Sequence, residues 1–319
     1  MKVKFIGFFL CTLCVLRTVN SQSIPYPYPI QSISLDIEGS TVKMAYMDVK
    51  PISANGKAVI LFHGKNFNGI YWKNVISALT ANGYRVIVPD QVGWGKSTKP
   101  NVKYTFSMLA NNNRQLLDTL SIAKVLVLGH SMGGMLATKF ALLYPERTEK
   151  LVLEDPLGLE DYKKFIPYKT MEQEYKKELN GTYTSYEKYQ KTYYPVWRPE
   201  YELYVRVQAE QLKQKDFSAV AWVNALTYQM IYEQPVLYEF INIKVPTLII
   251  VGQLDRTVLG KEMLGKEQQQ LHGNFPLLAQ KAKTKIKDCK VIILPGAGHI
   301  PHIQVPFLFN KSLISFLKD

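Results

Sequence analysis

The chain has 319 residues, of which 47% are hydrophobic and 20% are charged, and its formal net charge is +13. This composition excludes a disordered chain, a collagen-like repeat and a small disulfide-stabilised fold. The length allows two domains or a single α/β domain that carries an insertion.

The chain starts with a short apolar segment that follows two lysines. The run from Phe5 to Leu16 is shorter than the ~20 residues that a membrane-spanning helix requires. We therefore expect residues 1–21 to be a signal peptide, with the small side chains of Val19 and Ser21 at the cleavage site and Gln22 as the first mature residue. This predicts a secreted or periplasmic protein with no stable membrane span in the mature chain. The alternative is a retained N-terminal anchor.

Removal of this segment would change both the charge and the cysteine content. The net charge would fall by three, to +10, and Cys289 would be the only cysteine left. No intrachain disulfide is then expected. The excess of basic residues is split between residues 22–156 and 244–319, and no nucleic-acid-binding motif accompanies it. We therefore predict no nucleic-acid partner.

Short β-rich runs alternate with helical patterns along the chain. Strands are predicted at Ile33–Ile37, Val42–Met47, Ala58–Phe62, Val86–Val88, Val125–Leu128, Leu151–Leu153, Thr247–Val251 and Val291–Leu294. Helices are predicted near Tyr71–Asn82, Phe106–Leu120, Met132–Leu143 and Val305–Leu317. After an antiparallel start, this alternation predicts an α/β fold with a mostly parallel eight-stranded sheet and helices on both faces.

The segment 157–243 has no strand pattern and contains 13 of the 20 tyrosines. We predict that it forms a helical cap, and that residues 22–156 and 244–319 form the core. Because the insertion follows a strand end, it should lie over the loops at the C-terminal edge of the sheet. Its aromatic residues are suited to form apolar walls for an aromatic or medium-length acyl or alcohol group, and they include Trp197, Trp222 and the pair Tyr193-Tyr194.

The strongest motif surrounds Ser131, between a β run and a helical segment. Its sequence is Gly129-His130-Ser131-Met132-Gly133. A strand before it and a helix after it are the context of a nucleophile elbow, in which a serine occupies a sharp turn that leaves no room for neighbouring β-carbons. The motif predicts Ser131 as a nucleophile and Gly129 and Gly133 as the glycines that the elbow needs.

Two further loops that follow predicted strands carry a carboxylate and an imidazole. Asp255 follows the run that ends at Val251, and His299 follows the last strand in the sequence Gly296-Ala297-Gly298-His299. The chain order Ser131, Asp255, His299 is that of a nucleophile, acid and base triad.

Other polar residues are alternatives for two of these roles. Asp155 or Glu154, at the end of an earlier strand, could be the acid, and His302 could be the base. His63 and His130 are expected to form local hydrogen bonds. The five histidines of the chain lack the spacing of metal ligands, so we predict no metal and no organic cofactor.

These motifs together resemble the α/β-hydrolase superfamily over nearly all of the predicted mature chain. The loop from Asp90 to Ser97 is similar to the family turn D-x-x-G-x-G-x-S. The Ser-Met pair of the elbow resembles the serine esterase and perhydrolase-like branch with a helical cap, and also the carbon–carbon bond hydrolases. Epoxide hydrolases and haloalkane dehalogenases have an aspartate where this chain has Ser131. The glycine-rich oxyanion loop of carbon–carbon hydrolases is replaced here by Lys65-Asn66-Phe67-Asn68.

The resemblance implies an α/β-hydrolase fold and a serine hydrolase that cleaves a small-molecule carboxylic ester through an acyl-enzyme. The backbone N–H groups of Lys65 and Met132 would form the oxyanion hole. The Lys65 side chain is either solvated or directed toward an acidic substrate. The same triad also serves carbon–carbon bond, amide and lactone hydrolysis, and a non-catalytic ligand-binding protein of this fold is a further alternative.

Overall fold

The structure, a computed structural model, describes residues 23–319, so the predicted signal peptide at residues 1–21 lies outside the described residues. Eight strands of the described part form one sheet: β1 (Ile30–Ile37), β2 (Ser40–Val49), β3 (Ala58–Phe62), β4 (Arg85–Pro89), β5 (Val125–His130), β6 (Thr148–Glu154), β7 (Thr247–Gly252) and β8 (Cys289–Leu294).

The strand order in the sheet is β1-β2-β4-β3-β5-β6-β7-β8. The pairs β1/β2 and β2/β4 are antiparallel, and the other five neighbouring pairs are parallel. The prediction of a mostly parallel eight-stranded sheet with an antiparallel start is confirmed. The central strands β3 and β5 are buried along their whole length, which is expected where helices cover both faces of a sheet.

The α-helices of residues 23–319 connect and cover these strands. They are α1 (Lys73–Ala81), α2 (Phe106–Thr119), α3 (Met132–Leu143), α4 (Met171–Leu179), α5 (Tyr183–Lys191), α6 (Glu202–Ala209), α7 (Phe217–Glu233), α8 (Lys266–Leu271), α9 (Phe275–Lys283), α10 (Pro301–Gln304) and α11 (Pro306–Lys318). None of the helices in this part of the chain combines the length and the apolar character needed to cross a membrane.

Two hydrophobic cores lie on opposite faces of the sheet, and β3 contributes to both. Ile60 and Phe62 pack into one core, while Val59 and Leu61 pack into the other. This alternation follows from the two-residue period of a strand. Helices α2 and α3 pack together on the first side, and α1 packs with α11 on the second.

The long segment between β6 and β7 carries the helices α4 to α7. Helix α4 packs against α7, and α5 packs against α6. The helices α4 and α5 both start with a capping box, formed by Thr170 with Gln173 and by Thr182 with Ser185, so local hydrogen bonds fix where they begin. The assignment of residues 157–243 as a separate cap domain stays a prediction.

Candidate active site

Ser131 occupies a strained turn between β5 and α3. Its backbone angles are φ 56° and ψ −120°, a conformation that L-residues rarely adopt. Backbone hydrogen bonds hold it there. The Ser131 N–H donates to the Glu154 carbonyl at 3.0 Å, and the Ser131 carbonyl accepts from the Gly134 N–H at 2.8 Å. The turn predicted from the motif is therefore fixed by the neighbouring strand β6 and by the first turn of α3.

The glycines around Ser131 are required by close backbone contacts. A β-carbon on Gly129 would lie 2.0 Å from the Gly133 carbonyl oxygen, and one on Gly133 would lie 2.1 Å from the Phe62 carbonyl oxygen. Both distances are far below van der Waals contact with backbone atoms that cannot move independently. Any side chain at either position would force β3, β5 and α3 apart.

The structure brings Ser131, His299 and Asp255 into one hydrogen-bonded line. His299 Nε2 lies 3.0 Å from Ser131 Oγ, and His299 Nδ1 lies 2.7 Å from Asp255 Oδ2. The second carboxylate oxygen of Asp255 accepts from the Thr257 N–H at 2.8 Å. All three side chains are buried, and Ser131 is only 6% exposed.

The charge of Asp255 determines which nitrogen of His299 carries the proton. Burial acts to raise the pKa of Asp255, but the adjacent imidazole and the hydrogen bonds from His299, Asp155 and Thr257 outweigh it and lower the pKa. An ionised carboxylate can only accept hydrogen bonds, so His299 Nδ1–H donates to it. Nε2 is then free to accept the hydrogen bond of the Ser131 hydroxyl.

The alternative acid, Asp155, lies beside Asp255, and Asp255 is the one whose carboxylate is hydrogen-bonded to the imidazole. Burial and the negative charge of Asp255 raise the pKa of Asp155 well above its usual value, so Asp155 remains protonated and hydrogen-bonds to Asp255. The Gly252 N–H donates to Asp155 Oδ1 at 3.0 Å. Asp155 has φ 36°, a second strained backbone position next to the site.

The alternative base, His302, is held in a different place. Its Nδ1 lies 2.8 Å from Glu154 Oε1, the same oxygen accepts from the His302 N–H at 2.9 Å, and its ring stacks on Trp72 with 4.4 Å between the ring centroids. The Glu154 carboxylate is therefore hydrogen-bonded to His302. The structure therefore places Glu154 and His302 in a pair of their own, separate from the line through Ser131.

The loop after β3 passes close to Ser131. A β-carbon on Gly64 would lie 3.2 Å from Ser131 Cβ, so the backbone passes directly beside the serine. The Trp94 Nε1–H donates to the Lys65 carbonyl at 2.7 Å and fixes the loop from its other side. The Met132 N–H is the first of α3 and has no acceptor within the helix, as holds for first-turn donors. Met132 directly follows Ser131, and Lys65 directly follows Gly64, which lies beside it; their role as oxyanion donors stays a prediction.

Tyr193, in the segment between β6 and β7, contacts both loops of the site. Its carbonyl accepts from the His299 N–H at 2.9 Å, and its hydroxyl accepts from Asn66 Nδ2 at 2.9 Å. The ring centroids of Tyr193 and His299 are 4.9 Å apart. The sequence indicated Tyr193 only as one aromatic residue of the cap, and no local pattern identifies a contact with residues so distant in the chain.

The other aromatic residues named from the sequence mainly pack against this segment itself. Tyr194 stacks on Tyr201 with 4.1 Å between centroids, and Trp197 packs edge-on against both. The Trp222 Nε1–H donates to Asn101 Oδ1 at 2.7 Å. These rings stabilise the packing of the segment, and Tyr193 is the ring that reaches the site.

A cavity of about 320 Å³ lies between the loop after β3 and the helical segment. Its walls include Lys65, Trp94, Glu178 and Gln211. Lys65 Nζ lies 3.2 Å from Glu178 Oε1, and both side chains are mostly buried. The Lys65 side chain is therefore directed to a partner in α4 and is not solvated. This ion pair and the Asn66–Tyr193 hydrogen bond join the loop after β3 to the segment between β6 and β7.

One group of possible metal ligands occurs among residues 23–319, and it consists of Asp155, Asp255 and His299. Their ligand atoms lie within 4.8 Å of one another. These atoms are already engaged in hydrogen bonds with one another, with Gly252 and with Thr257. Each of the three side chains therefore has hydrogen-bond partners within the protein. Asp255 and His299 form an acid and base pair, and Asp155 is the second, protonated carboxyl group beside them.

Comparisons with known proteins agree with the fold. Residues 57–306 match a family model described as alpha/beta hydrolase fold. A solved structure of a "probable hydrolytic enzyme" of Pseudomonas aeruginosa is 41% identical in sequence, covers 91% of this chain and 95% of its own, and superposes with a TM-score of 0.89. Similarity over nearly the full length of both chains extends to the segment between β6 and β7.

Two curated relatives match over shorter segments. An uncharacterised protein of Mycobacterium bovis is 39% identical over 108 residues, which are 34% of this chain and 31% of that protein. A 2-hydroxy-6-oxononadienedioate/2-hydroxy-6-oxononatrienedioate hydrolase of Burkholderia vietnamiensis is 39% identical over 122 residues, which are 36% of this chain and 41% of that protein. The chain thus spans less than half the length of these curated relatives.

Proposed function

The chain belongs to the alpha/beta hydrolase fold family, and we propose that it is a hydrolase that cleaves carboxylic esters through an acyl-enzyme on Ser131. The observation that carries this proposal is the line of hydrogen bonds from Ser131 Oγ through His299 to Asp255, at 3.0 and 2.7 Å. The Ser131–His299 distance is within the range that direct proton transfer to a general base needs, and the His299–Asp255 distance is that of a hydrogen bond that orients the imidazole.

The first half of the reaction forms the acyl-enzyme. Ser131 Oγ attacks the ester carbonyl carbon while His299 Nε2 takes the hydroxyl proton, and Asp255 stabilises the imidazolium that results. The tetrahedral oxyanion accepts hydrogen bonds from the N–H groups of Lys65 and Met132. When the C–O bond breaks, His299 returns the proton to the departing alcohol oxygen, and the acyl group remains on Ser131.

The second half of the reaction releases the acid. A water molecule attacks the acyl carbonyl as His299 Nε2 takes one of its protons, and the same two N–H groups bind the second oxyanion. Collapse of this intermediate returns the proton to Ser131 Oγ and releases the carboxylic acid. These steps use only side chains and backbone donors of this chain.

A carbon–carbon bond hydrolase is the second candidate, and the dienedioate hydrolase relative favours it. The contacts of the loop from Lys65 to Asn68 favour ester hydrolysis over carbon–carbon bond hydrolysis. Its Lys65 side chain is bound to Glu178 and its Asn66 side chain to Tyr193, so neither amine nor amide is free to bind the carboxylate of a dienoate substrate. Amides and lactones remain further possible substrates of the same triad.

We also propose that the protein is exported after cleavage near Ser21. The support is the sequence of residues 1–21, with basic residues followed by an apolar run of signal-peptide length. N-terminal sequencing of the protein from culture medium or periplasm should give Gln22 or a neighbouring residue as the start. Detection of Met1 in membrane-bound protein would support a retained anchor instead.

Labelling with a fluorophosphonate probe tests the serine hydrolase directly. We expect stoichiometric labelling of the wild-type protein and none of Ser131→Ala, while Ser107→Ala, which changes an exposed serine of α2, labels at the wild-type rate. Labelling that persists in Ser131→Ala would refute the assignment, and an unreactive folded wild type would support a ligand-binding protein.

A substrate panel then separates the bond types. We expect p-nitrophenyl esters to have kcat/KM values at least about tenfold above those of matched anilides, lactones and a 2-hydroxy-6-oxo-dienoate. Faster turnover of the dienoate than of every ester would select the second candidate.

A further inference from the structure

A chain of buried hydrogen bonds joins the loop after β3 to the loop after β8. The Gly64 N–H is 2.9 Å from the Tyr71 hydroxyl oxygen, which is 3.1 Å from His130 Nδ1. His130 Nε2 is 2.8 Å from the carbonyl oxygen of His299. Tyr71 and His130 are buried, so water does not compete for these bonds. The chain runs from the neighbour of Lys65 to the backbone of His299.

The chemistry of the two ends fixes the direction of every bond. A carbonyl oxygen only accepts, so His130 Nε2 carries the proton that is donated to His299. In a neutral imidazole Nδ1 is then an acceptor, so the Tyr71 hydroxyl donates to it. The Tyr71 oxygen in turn accepts from the Gly64 N–H. Each side chain therefore has one role as donor and one as acceptor.

The protonation states that this direction requires agree with the surroundings. Burial, together with the nearby His299 and His302, lowers the pKa of His130 well below its usual value, so its imidazole is neutral. Burial and the charge of Glu154 raise the pKa of Tyr71 well above its usual value, so its hydroxyl stays protonated.

Tight packing keeps the chain in place. The Phe67 ring stacks on the Tyr71 ring at 4.6 Å with an angle of 6°, and Trp72 and His302 flank Tyr71 on other sides. A β-carbon on Gly64 would lie 3.0 Å from His130 Nδ1. A phenylalanine at position 71 would make the same ring contacts. The hydroxyl of Tyr71 therefore contributes hydrogen bonds to Gly64 and His130 and not ring packing.

We infer that Tyr71 and His130 are positioning residues that hold the oxyanion loop and the His299 loop at the separation that acylation of Ser131 requires. This inference rests on the proposed serine hydrolase function. Tyr71 acts on the Lys65 N–H through Gly64, and His130 acts on the His299 imidazole through its backbone carbonyl. The two residues therefore affect the transition state, in which oxyanion and imidazolium form together, more than they affect substrate binding.

Replacement of Tyr71 by Phe tests the inference with little loss of packing. We expect kcat for a p-nitrophenyl ester to fall about tenfold while KM changes less than about twofold, as for one lost neutral hydrogen bond. The affinity for an alkyl boronic acid, which forms a tetrahedral adduct, should fall by the same factor as kcat. The matched control Tyr46→Phe removes a tyrosine hydroxyl bond to Gln31 in the edge strands and should leave both quantities unchanged.

Two replacements of His130 separate the two ends of the chain. Asn places an acceptor where Nδ1 lies and keeps the Tyr71 bond, whereas Gln places a donor near Nε2 and keeps the His299 bond. Since Tyr71 needs the Nδ1 acceptor, Tyr71→Phe should lower kcat less than about threefold in a His130→Gln background. An unchanged tenfold loss there, or a wild-type kcat in Tyr71→Phe alone, would overturn the inference.

The wild-type protein provides a test that does not depend on the folding of any variant. In long-range ¹H–¹⁵N spectra of histidine-labelled protein, we expect a protonated Nε2 and an unprotonated Nδ1 for His130. The opposite tautomer or an imidazolium would contradict the chain. Because these spectra need no turnover, and because Ser131 labelling is measured separately, failure of the inference and failure of the proposed function give different results.

Discussion

Asp155 and Asp255 come from different strand ends and lie side by side at the active site, and only Asp255 accepts a hydrogen bond from His299. The two carboxyl groups share one proton, because two negative charges side by side in a buried site would repel each other strongly. Asp155 holds this proton. Asp255 is therefore the ionised acid that accepts from the imidazole, and Asp155 is a neutral hydrogen-bond donor to Asp255.

Replacement of each acid by asparagine should give very different results. Asp255→Asn removes the acceptor that sets the tautomer of His299, and we expect kcat to fall by about 10³ to 10⁴. Asp155→Asn keeps a neutral donor of the same shape, so kcat should stay within about threefold of wild type. Steady-state kinetics on a p-nitrophenyl ester measures both. A severe loss in Asp155→Asn together with an active Asp255→Asn would reverse the assignment.

The glycines of the elbow make a prediction about stability. In Gly133→Ala the new β-carbon would lie 2.1 Å from the backbone oxygen of Phe62, and overpacking of this kind should lower the free energy of unfolding by about 3 kcal/mol. The control Gly265→Ala adds a β-carbon with nothing within 4 Å and should change stability by less than about 1 kcal/mol. Urea unfolding followed by circular dichroism compares them, and equal midpoints would contradict the close contact.

The buried histidines predict a loss of stability in weak acid. Burial lowers the pKa of His63, and burial with nearby His299 and His302 lowers that of His130 further. As pH falls through the unfolded-state value of about 6.5, the unfolded chain binds protons that the folded chain does not. Each of these two groups should then reduce the free energy of unfolding by up to about 1.4 kcal/mol per pH unit.

Urea unfolding at pH 7.5, 6.5 and 5.5 measures this effect. His130→Asn should show a shallower decrease than the wild type, because one of the two groups no longer titrates in the unfolded chain. Asp155, which is protonated in the folded chain only, adds an opposite slope that is common to both proteins, so the difference between them reports on His130. A decrease in His130→Asn as steep as in the wild type would mean that His130 is protonated in the folded state.

The ion pair between Lys65 and Glu178 predicts how the site opens. With Ser131 only 6% exposed, a bulky reagent needs the helical segment to move away from the loop after β3. Glu178→Gln weakens this contact, so labelling by a bulky fluorophosphonate should accelerate about threefold or more, and labelling by a small one should change less. High salt should accelerate the wild type and leave the variant unchanged. A slower bulky reagent in Glu178→Gln would show that the pair does not restrain opening.

The positions of the triad could be predicted because parallel strands direct their carboxyl ends to one edge of the sheet. A polar residue just after such a strand, as with Asp255 and His299, is brought to that edge whatever the intervening sequence. The strand Ala58–Phe62 was predicted with the observed bounds, since a run that is buried on both faces is apolar throughout.

Contacts between distant parts of the chain could not be predicted in the same way. Tyr193 reaches His299 and Asn66 because the helical segment folds back over the sheet, and no spacing in the sequence encodes that path. The division of roles between Asp155 and Asp255 depends on a distance of a few ångströms. The helices α8 and α9 were not predicted because they are short, with 6 and 9 residues, so a helical period repeats over few turns in each.

The acyl-enzyme on Ser131 is tested most directly by identifying the residue that carries the acyl group. The protein would be mixed with a p-nitrophenyl ester, quenched in acid before deacylation is complete, digested and analysed by mass spectrometry. We expect one acyl group, on the peptide that contains Ser131, and none in Ser131→Ala. An acyl group on another residue, or continued ester turnover by Ser131→Ala at the wild-type rate, would contradict it.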